Sequence, residues 1–355
     1  MNMPQPLPGV TSQMIQTPRL KMHVLTSGDP AGVPVIFLHG NFSAALYWEE
    51  TMLALPAGFR AIAPDLRGYG WTEDVLIDST RGYRDWVDDL AALMDVMGVE
   101  KAHLVGWSMG AGIIYRFIGD FPARVLSATL ICPVSPFGFG GTKGAEGTPL
   151  FEDHAGSGGG VVNQEFVKRI QAQDRSSDDP NSPRNIINAF YYVPPFRAAR
   201  EEDFLTASLM EKTGPDRYPG DFVPSPNWPF VAPGVRGPVN CWSLKYLQQD
   251  VPDLLAARPK PPVLWVRGSH DLIVSDTSFF DIANLGKLGY VPGWPGDEVA
   301  PPQPMLQQTR AVLEKYSAAA GGSFEEHVIE NTAHSPHIEK PDVFNALFHQ
   351  FLMRA

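Results

Sequence analysis

Six short apolar runs punctuate the chain: PVIFLHG (34–40), RAIAPDL (60–66), AHLVGWS (102–108), LSATLICP (126–133), PVLWVRG (262–268) and FEEHVIE (324–330). Mostly continuous rather than alternating hydrophobicity is the pattern of strands covered on both faces. Between the runs lie stretches with apolar residues three and four apart, YRDWVDDLAALMDVMG (83–98), GAGIIYRFIGDF (110–121), QPMLQQTRAVLEKY (303–316) and PDVFNALFHQFL (341–352). These read as amphipathic helices. The alternation predicts an α/β fold, a doubly wound, mostly parallel sheet with helices on both faces.

The rhythm stops between about Val134 and Asp253, where Pro, Gly and aromatic residues crowd together in GSGGG (156–160), YYVPPF (191–196) and DFVPSPNWPFVAPG (221–234). Strand-like runs resume at Pro262. The simplest organisation is a core domain built from residues 1–133 and 254–355, with 134–253 inserted as a mainly helical cap. A lid of this size needs its own core, so most of its rings, from Phe137 to Trp242, are expected to fill it. YVPGWPGDEVAPPQP (290–304) is too rich in Pro and Gly for an element and reads as a long loop.

Composition narrows the function. The formal net charge of -11, with no cluster of Lys and Arg, argues against nucleic acid as a partner. Cys132 and Cys241 are the only cysteines and lack metal-ligand spacing, so no metal site and no disulfide framework is expected. No run of about 18 apolar residues is present, so stable membrane insertion is not expected and a cytoplasmic location is. The oligomeric state is left open by these features.

The stretch HLVGWSMGAG (103–112) sets Ser108 between Gly106 and Gly110, at the junction of a buried run and a helical one. A serine on a sharp strand-to-helix turn sits in a strained backbone, and small neighbours relieve the clash with strand and helix. The helix N-terminus then points its free amides at whatever the hydroxyl attacks. Ala111 and Gly112 read as close-packing residues at the helix start.

In this arrangement the chain resembles the α/β-hydrolase superfamily outside the insertion. The resemblance implies a triad in the order nucleophile, acid, histidine. VLWVRGSHD places Asp271 just past a late strand, and VIENTAHSPHIEKP places His334 just past the last one. Ser108 would be the nucleophile, His334 its base, and Asp271 the group that fixes the imidazole tautomer. His327 lies within a strand pattern and His337 a turn too late, so His334 is preferred to both. His270 is expected to face solvent or the lid.

The resemblance also implies an oxyanion hole from the amides of Met109 and of Asn41 in HGNF, with the Asn41 side chain as an alternative donor. His39 is expected to be structural. In PDLRGYGWTE (64–73), Asp65 and Arg67 are expected to hold the loop through a buried or half-buried ion pair. Phe42, Trp48, Trp107 and His337 are candidates for the pocket wall, and Tyr47 is a further one.

Epoxide hydrolases and haloalkane dehalogenases carry an aspartate at this turn, and Ser108 argues against both. The expected function is cofactor-independent hydrolysis of a carboxylic ester or related acyl bond (lactone, thioester, amide) of a hydrophobic small molecule through an acyl-enzyme. The alternatives are a carbon-carbon bond hydrolase, a perhydrolase of the non-haem haloperoxidase kind, a cofactor-free dioxygenase, and a hydrolase-fold ligand receptor with little turnover.

Overall fold

The computed structural model describes residues 3–355. Its centre is one eight-stranded sheet of β1 (Thr11–Gln16), β2 (Lys21–Gly28), β3 (Val33–Leu38), β4 (Phe59–Pro64), β5 (Ala102–Trp107), β6 (Val125–Ile131), β7 (Val263–Gly268) and β8 (Phe324–Ile329). The spatial order is β1-β2-β4-β3-β5-β6-β7-β8. The six apolar runs became β3 to β8, all parallel. β1 and β2, which none of the six apolar runs announces, form an antiparallel ribbon against β4. β1 is an edge strand open to solvent, so its mixed sequence lacks a buried-strand pattern.

The main helices are α1 (Arg84–Val96), α2 (Met109–Asp120), α3 (Gln164–Gln171), α4 (Glu201–Ser208), α5 (Met305–Ala318) and α6 (Pro341–Leu352). On α1 the buried Trp86, Val87, Leu90, Leu93 and Met94 form the stripe that the sequence spacing predicted, and the helix stops before Gly98 at φ 66. α2 is buried from Met109 to Ile118 because it lies between sheet and cap. Each large apolar side chain closed in this way contributes about 1.5–3 kcal/mol.

Residues 134–253, the stretch expected as a cap and called so below, are built of short pieces. Its longest helices, α3 and α4, have eight residues each, and two small ribbons pair Thr142–Lys143 with Thr148–Pro149 and Phe222–Pro224 with Val231–Pro233. The cap does not have a core of its own: Phe166, Tyr191, Tyr192, Phe204 and Trp242 belong to the same buried cluster as the sheet. Short helices cannot enclose a separate core, so their rings pack downward. Phe222 and Phe230, at 53% and 60% exposure, face solvent instead.

The return to the sheet falls inside a helix, Asp250–Ala256, which spans the boundary expected at 253/254. It is tied to α2 by buried Arg116, which bonds Asp120, Asp250 and Asp253. The loop 290–304 is closed by a satellite cluster around Trp228, Ala283 and Ala300 with Trp294. Gln303 locks its end, accepting from the Gly140 amide at 2.6 Å and donating to the Gly138 carbonyl at 3.1 Å.

Candidate active site

The registers bring the carboxyl ends of five strands together: Leu38 pairs Gly106, Trp107 pairs Ile131, Val266 pairs Ile131, and Gly268 pairs Ile329. Ser108 leaves β5 at φ 55, ψ -115, outside the regions that non-glycine residues prefer, and α2 starts at the next residue. A Cβ on Gly106 would stand 2.6 Å from Ala111 N, and one on Gly110 2.2 Å from the Leu38 carbonyl oxygen. Both positions therefore require glycine. Serine is a favoured helix cap, yet the Ser108 hydroxyl caps nothing. Its amide donates to the Ile131 carbonyl at 2.9 Å, and its own carbonyl accepts from Ala111 and Val134. The backbone is thus anchored and the hydroxyl left free.

Asp271 and His334 meet at the far side of β5. His334 Nδ1 lies 2.9 Å from Asp271 Oδ2, and both residues are buried. Asp271 Oδ1 accepts the amides of Ile273 at 2.8 Å and Val274 at 3.0 Å, which fixes the carboxylate. A carboxylate on Nδ1 places the proton there and leaves Nε2 as the free acceptor. The His334 carbonyl accepts from Trp107 Nε1 at 2.7 Å, so the residue before the serine positions the histidine. The Ser108 to His334 hydrogen bond itself is not formed. Free hydrolases commonly form this bond only with substrate in place.

The competing histidines are placed elsewhere. His327 is half-buried on β8 and faces Glu325, while His270 is exposed beside Ser269. His337 is buried among Trp48 (4.7 Å, stacked), Trp107 (5.2 Å) and Phe344 (5.9 Å), with neither ring nitrogen bonded. Burial, helped by neighbouring His334, pushes its pKa down to about 3, so it stays neutral. Trp48 and Trp107 are 0% exposed and His337 2%, which makes all three core rather than pocket wall. Tyr47 is stacked on Phe204 of the cap at 4.3 Å, and Phe42 meets Phe166 at 4.9 Å.

The loop after β3 passes beside the serine, since a Cβ on Gly40 would lie 3.1 Å from Ser108 Cβ. His39 builds this loop: Nδ1 donates to the Gly40 carbonyl at 2.8 Å and Nε2 accepts the Leu66 amide at 3.0 Å. Burial lowers its pKa, consistent with a neutral structural ring. Tyr69 donates to Asn41 Oδ1 at 2.9 Å and touches Met109 Sδ at 3.5 Å, while Tyr191 of the cap donates to the Asn41 carbonyl at 2.9 Å. Both oxygens of Asn41 are therefore occupied by tyrosines. Its amide and that of Met109, at the open first turn of α2, remain as donors.

Asp65 and Arg67 do hold this region, but with partners other than each other. Asp65 bonds His23 at 2.7 Å and the amides of Ala45 and Trp71, and Arg67 makes a two-pronged pair with Asp89 on α1. Several residues near the site were not foreseen. Tyr69 stood inside the quoted PDLRGYG motif, and Tyr191 in YYVPPF, but nothing local marks their bonds to Asn41. Glu339 clasps the histidine loop to the cap by accepting the Ala333 amide at 2.6 Å and the Val193 amide at 2.7 Å. Cys132 follows β6 at φ 42, with its thiol within 4.8 Å of the Asp271 and His334 ligand atoms. Burial and the Asp271 charge push that thiol up, so it stays protonated. A cleft of about 720 Å³ lies on the flank of the cap rather than over Ser108; Glu211 lines it with Leu209, Lys212 and Arg217.

A family model described as the alpha/beta hydrolase fold matches residues 33–144, the span that holds β3 to β6 and Ser108. The chain has the alpha/beta hydrolase fold. It is 38% identical over 112 residues to epoxide hydrolase 3 of Siraitia grosvenorii, covering 31% of this chain and 35% of that protein. It is 31% identical over 134 residues to 2-hydroxymuconate semialdehyde hydrolase of a Pseudomonas species, covering 37% and 46%. The matched segments thus span less than half of either relative. The crystal structure of carboxylesterase CesB from Bacillus subtilis shares the fold over nearly the whole length, with a TM-score of 0.58 at 16% identity, covering 98% of this chain and 92% of that one. Among the described residues, no helix is long and apolar enough to cross a membrane.

Proposed function

We propose that the protein is a serine hydrolase that cleaves a carboxylic ester or related acyl bond of a hydrophobic small molecule. The observation that carries this reading is the buried 2.9 Å pair of His334 and Asp271, set beside a strained Ser108 whose hydroxyl has no structural task. His334 Nε2 takes the Ser108 proton as Oγ attacks the carbonyl carbon. The amides of Asn41 and Met109 receive the oxyanion, a contribution of about 3 kcal/mol per donor in such sites. Collapse of the adduct passes the proton from His334 to the leaving alcohol and leaves an acyl-Ser108, which water, deprotonated by His334, releases as the acid. The oxygen cage on Asn41 supports the backbone amide rather than the side chain as the donor.

The likeness to an epoxide hydrolase does not extend this chemistry to the chain. Ser108 offers a hydroxyl in place of the aspartate that forms an alkyl ester in those enzymes. The likeness to 2-hydroxymuconate semialdehyde hydrolase favours a second reading, cleavage of a carbon-carbon bond beside a carbonyl by the same three residues. Two buried free thiols, Cys132 and Cys241, support the cytoplasm as the working compartment. The test is a panel of chromogenic esters of increasing acyl length. Burst and steady turnover that vanish in Ser108→Ala support the hydrolase reading; tight ligand binding without turnover overturns it.

A further inference from the structure

Two groups that the steps above require stand on separate strands. Asn41 follows β3 and His334 follows β8, and in the strand order β5, β6 and β7 lie between them. One stretch of the cap reaches both loops. Tyr191 ends a π-helical turn, Ile187–Tyr191, and its hydroxyl shares its proton between the Asn41 carbonyl at 2.9 Å and the Phe42 carbonyl at 3.1 Å. The Tyr191 carbonyl accepts the Ser335 amide at 3.0 Å. Two residues on, the Val193 amide donates to Glu339 Oε1 at 2.7 Å, while Glu339 Oε2 takes the Ala333 amide at 2.6 Å.

His334 is thus held through its neighbours on both sides, Ala333 and Ser335, and the same piece of chain holds Asn41. The Tyr191 ring also stands edge-on to Trp107 at 5.2 Å, and Trp107 Nε1 bonds the His334 carbonyl. Both oxygens of Glu339 act as acceptors, the arrangement that suits a carboxylate. The rate depends steeply on such placement: a displacement of about 1 Å between reacting groups costs on the order of 10²-fold. We propose that Glu339 and Tyr191 are positioning residues, Glu339 for His334 and Tyr191 for the Asn41 amide, and that cap segment 191–193 joins the two loops into one unit. The segment serves the reaction while touching no reacting atom. The proposal rests on the hydrolase reading for the roles of His334 and Asn41.

Butyrate esters of 4-nitrophenol and of ethanol separate the two roles. Nitrophenolate leaves without a proton, whereas ethoxide must receive one from His334. Glu339→Gln keeps the size of the side chain but offers one acceptor oxygen to two amides. It should lower kcat/KM about tenfold on the nitrophenyl ester and about a hundredfold on the ethyl ester. Tyr191→Phe keeps the ring on Trp107 and removes the O–H alone. It should lower kcat/KM about tenfold on both esters alike, because both pass through the same oxyanion. The double variant should lose less than the product of the single losses, since either change already loosens the unit. A merely structural role would lower the melting temperature and leave the ratio between the two esters at its wild-type value. An ester ratio unmoved in Glu339→Gln, wild-type rates in Tyr191→Phe, or losses that multiply overturn the proposal while leaving the hydrolase reading intact.

Turnover of neither ester by the wild type would instead strike the hydrolase reading, and a second measurement then decides the role of Glu339. The low-field proton resonance of the 2.9 Å bond between His334 Nδ1 and Asp271, absent in His334→Ala, should broaden or move upfield in Glu339→Gln. A resonance unchanged in that variant overturns the assignment.

Discussion

The rim of the sheet and residues 134–253 each bury a carboxylic acid, Asp271 at 7% and Glu211 at 5% exposure. At the rim the chain completes its own acid: Asp271 takes two amides from its own turn and the ring of His334. In the cap the chain leaves Glu211 without a single partner. The difference separates a carboxylate whose position is fixed by bonds from its own turn from an acid that burial alone surrounds. It also separates what a sequence can show from what it cannot.

The largest effect should come from breaking the rim. Asp271→Asn keeps the shape but lets the amide NH₂ face His334 Nδ1, which turns the imidazole into the wrong tautomer. A fall of ~10⁴-fold in kcat with little change in melting temperature is expected. A loss below tenfold would show that another group orients His334.

Gly110→Ala should follow, and it acts on structure first. The new Cβ would meet the Leu38 carbonyl oxygen at 2.2 Å and the His39 oxygen at 2.9 Å, both backbone atoms of the loop that carries Asn41. Backbone cannot swing aside as a side chain can, so a loss of about 3 kcal/mol in urea unfolding is expected, with most activity lost as the loop is displaced. The same change at Gly112 meets the end of the Tyr83 ring and Val134 Cγ1, side-chain atoms that can shift farther than backbone, and should cost less. Equal losses at both sites would contradict the tight contact between the Ser108 turn and the loop that carries Asn41.

These rim features were legible because each is made within a few residues. The apolar runs announce buried strands, the paired glycines announce a strained turn, and acid and histidine lie just past strand ends. Partners distant in sequence were not legible. Asp65 and Arg67 were correctly read as anchors, but His23 and Asp89 could not be named as their partners, because β2 was not recognised and α1 offers four other Asp residues (78, 85, 88 and 95) in or near it. His337 looked like a pocket residue because aromatic and imidazole rings give the same signal whether they face a ligand or Trp48. In the cap, short helices broken by Pro and Gly leave no period to read, and LMEKTG around Glu211 looks like an ordinary solvated turn.

A smaller effect should appear within the rim, where Tyr69 holds the loop that carries Asn41. Its O–H holds Asn41 Oδ1 and its ring lies edge-on to His39 at 5.2 Å. Tyr69→Phe removes one hydrogen bond and frees the Asn41 side chain, so kcat should drop about tenfold with KM little changed. A rise in KM alone would place Tyr69 in ground-state binding instead.

The effect whose size depends on pH concerns the unpartnered acid itself. The folded state raises the Glu211 pKa above its ordinary 4.5 by burial, so the folded chain holds a proton that the unfolded chain gives up. The stabilising contribution is complete below about pH 4.5 and declines as pH rises toward the folded value, by about 1.4 kcal/mol per unit, because the folded state binds more protons there. Glu211→Gln cannot lose a proton and should remove this slope. Other raised acids, such as Asp250 and Asp281 at about 6, tilt both proteins alike, so the difference between wild type and variant isolates Glu211. Urea midpoints should diverge as pH rises above about 5 until the folded group itself ionises, with the variant ahead on the alkaline side. Parallel curves would mean that Glu211 ionises in the fold as it does in water, and the contrast with Asp271 would then be one of partners alone.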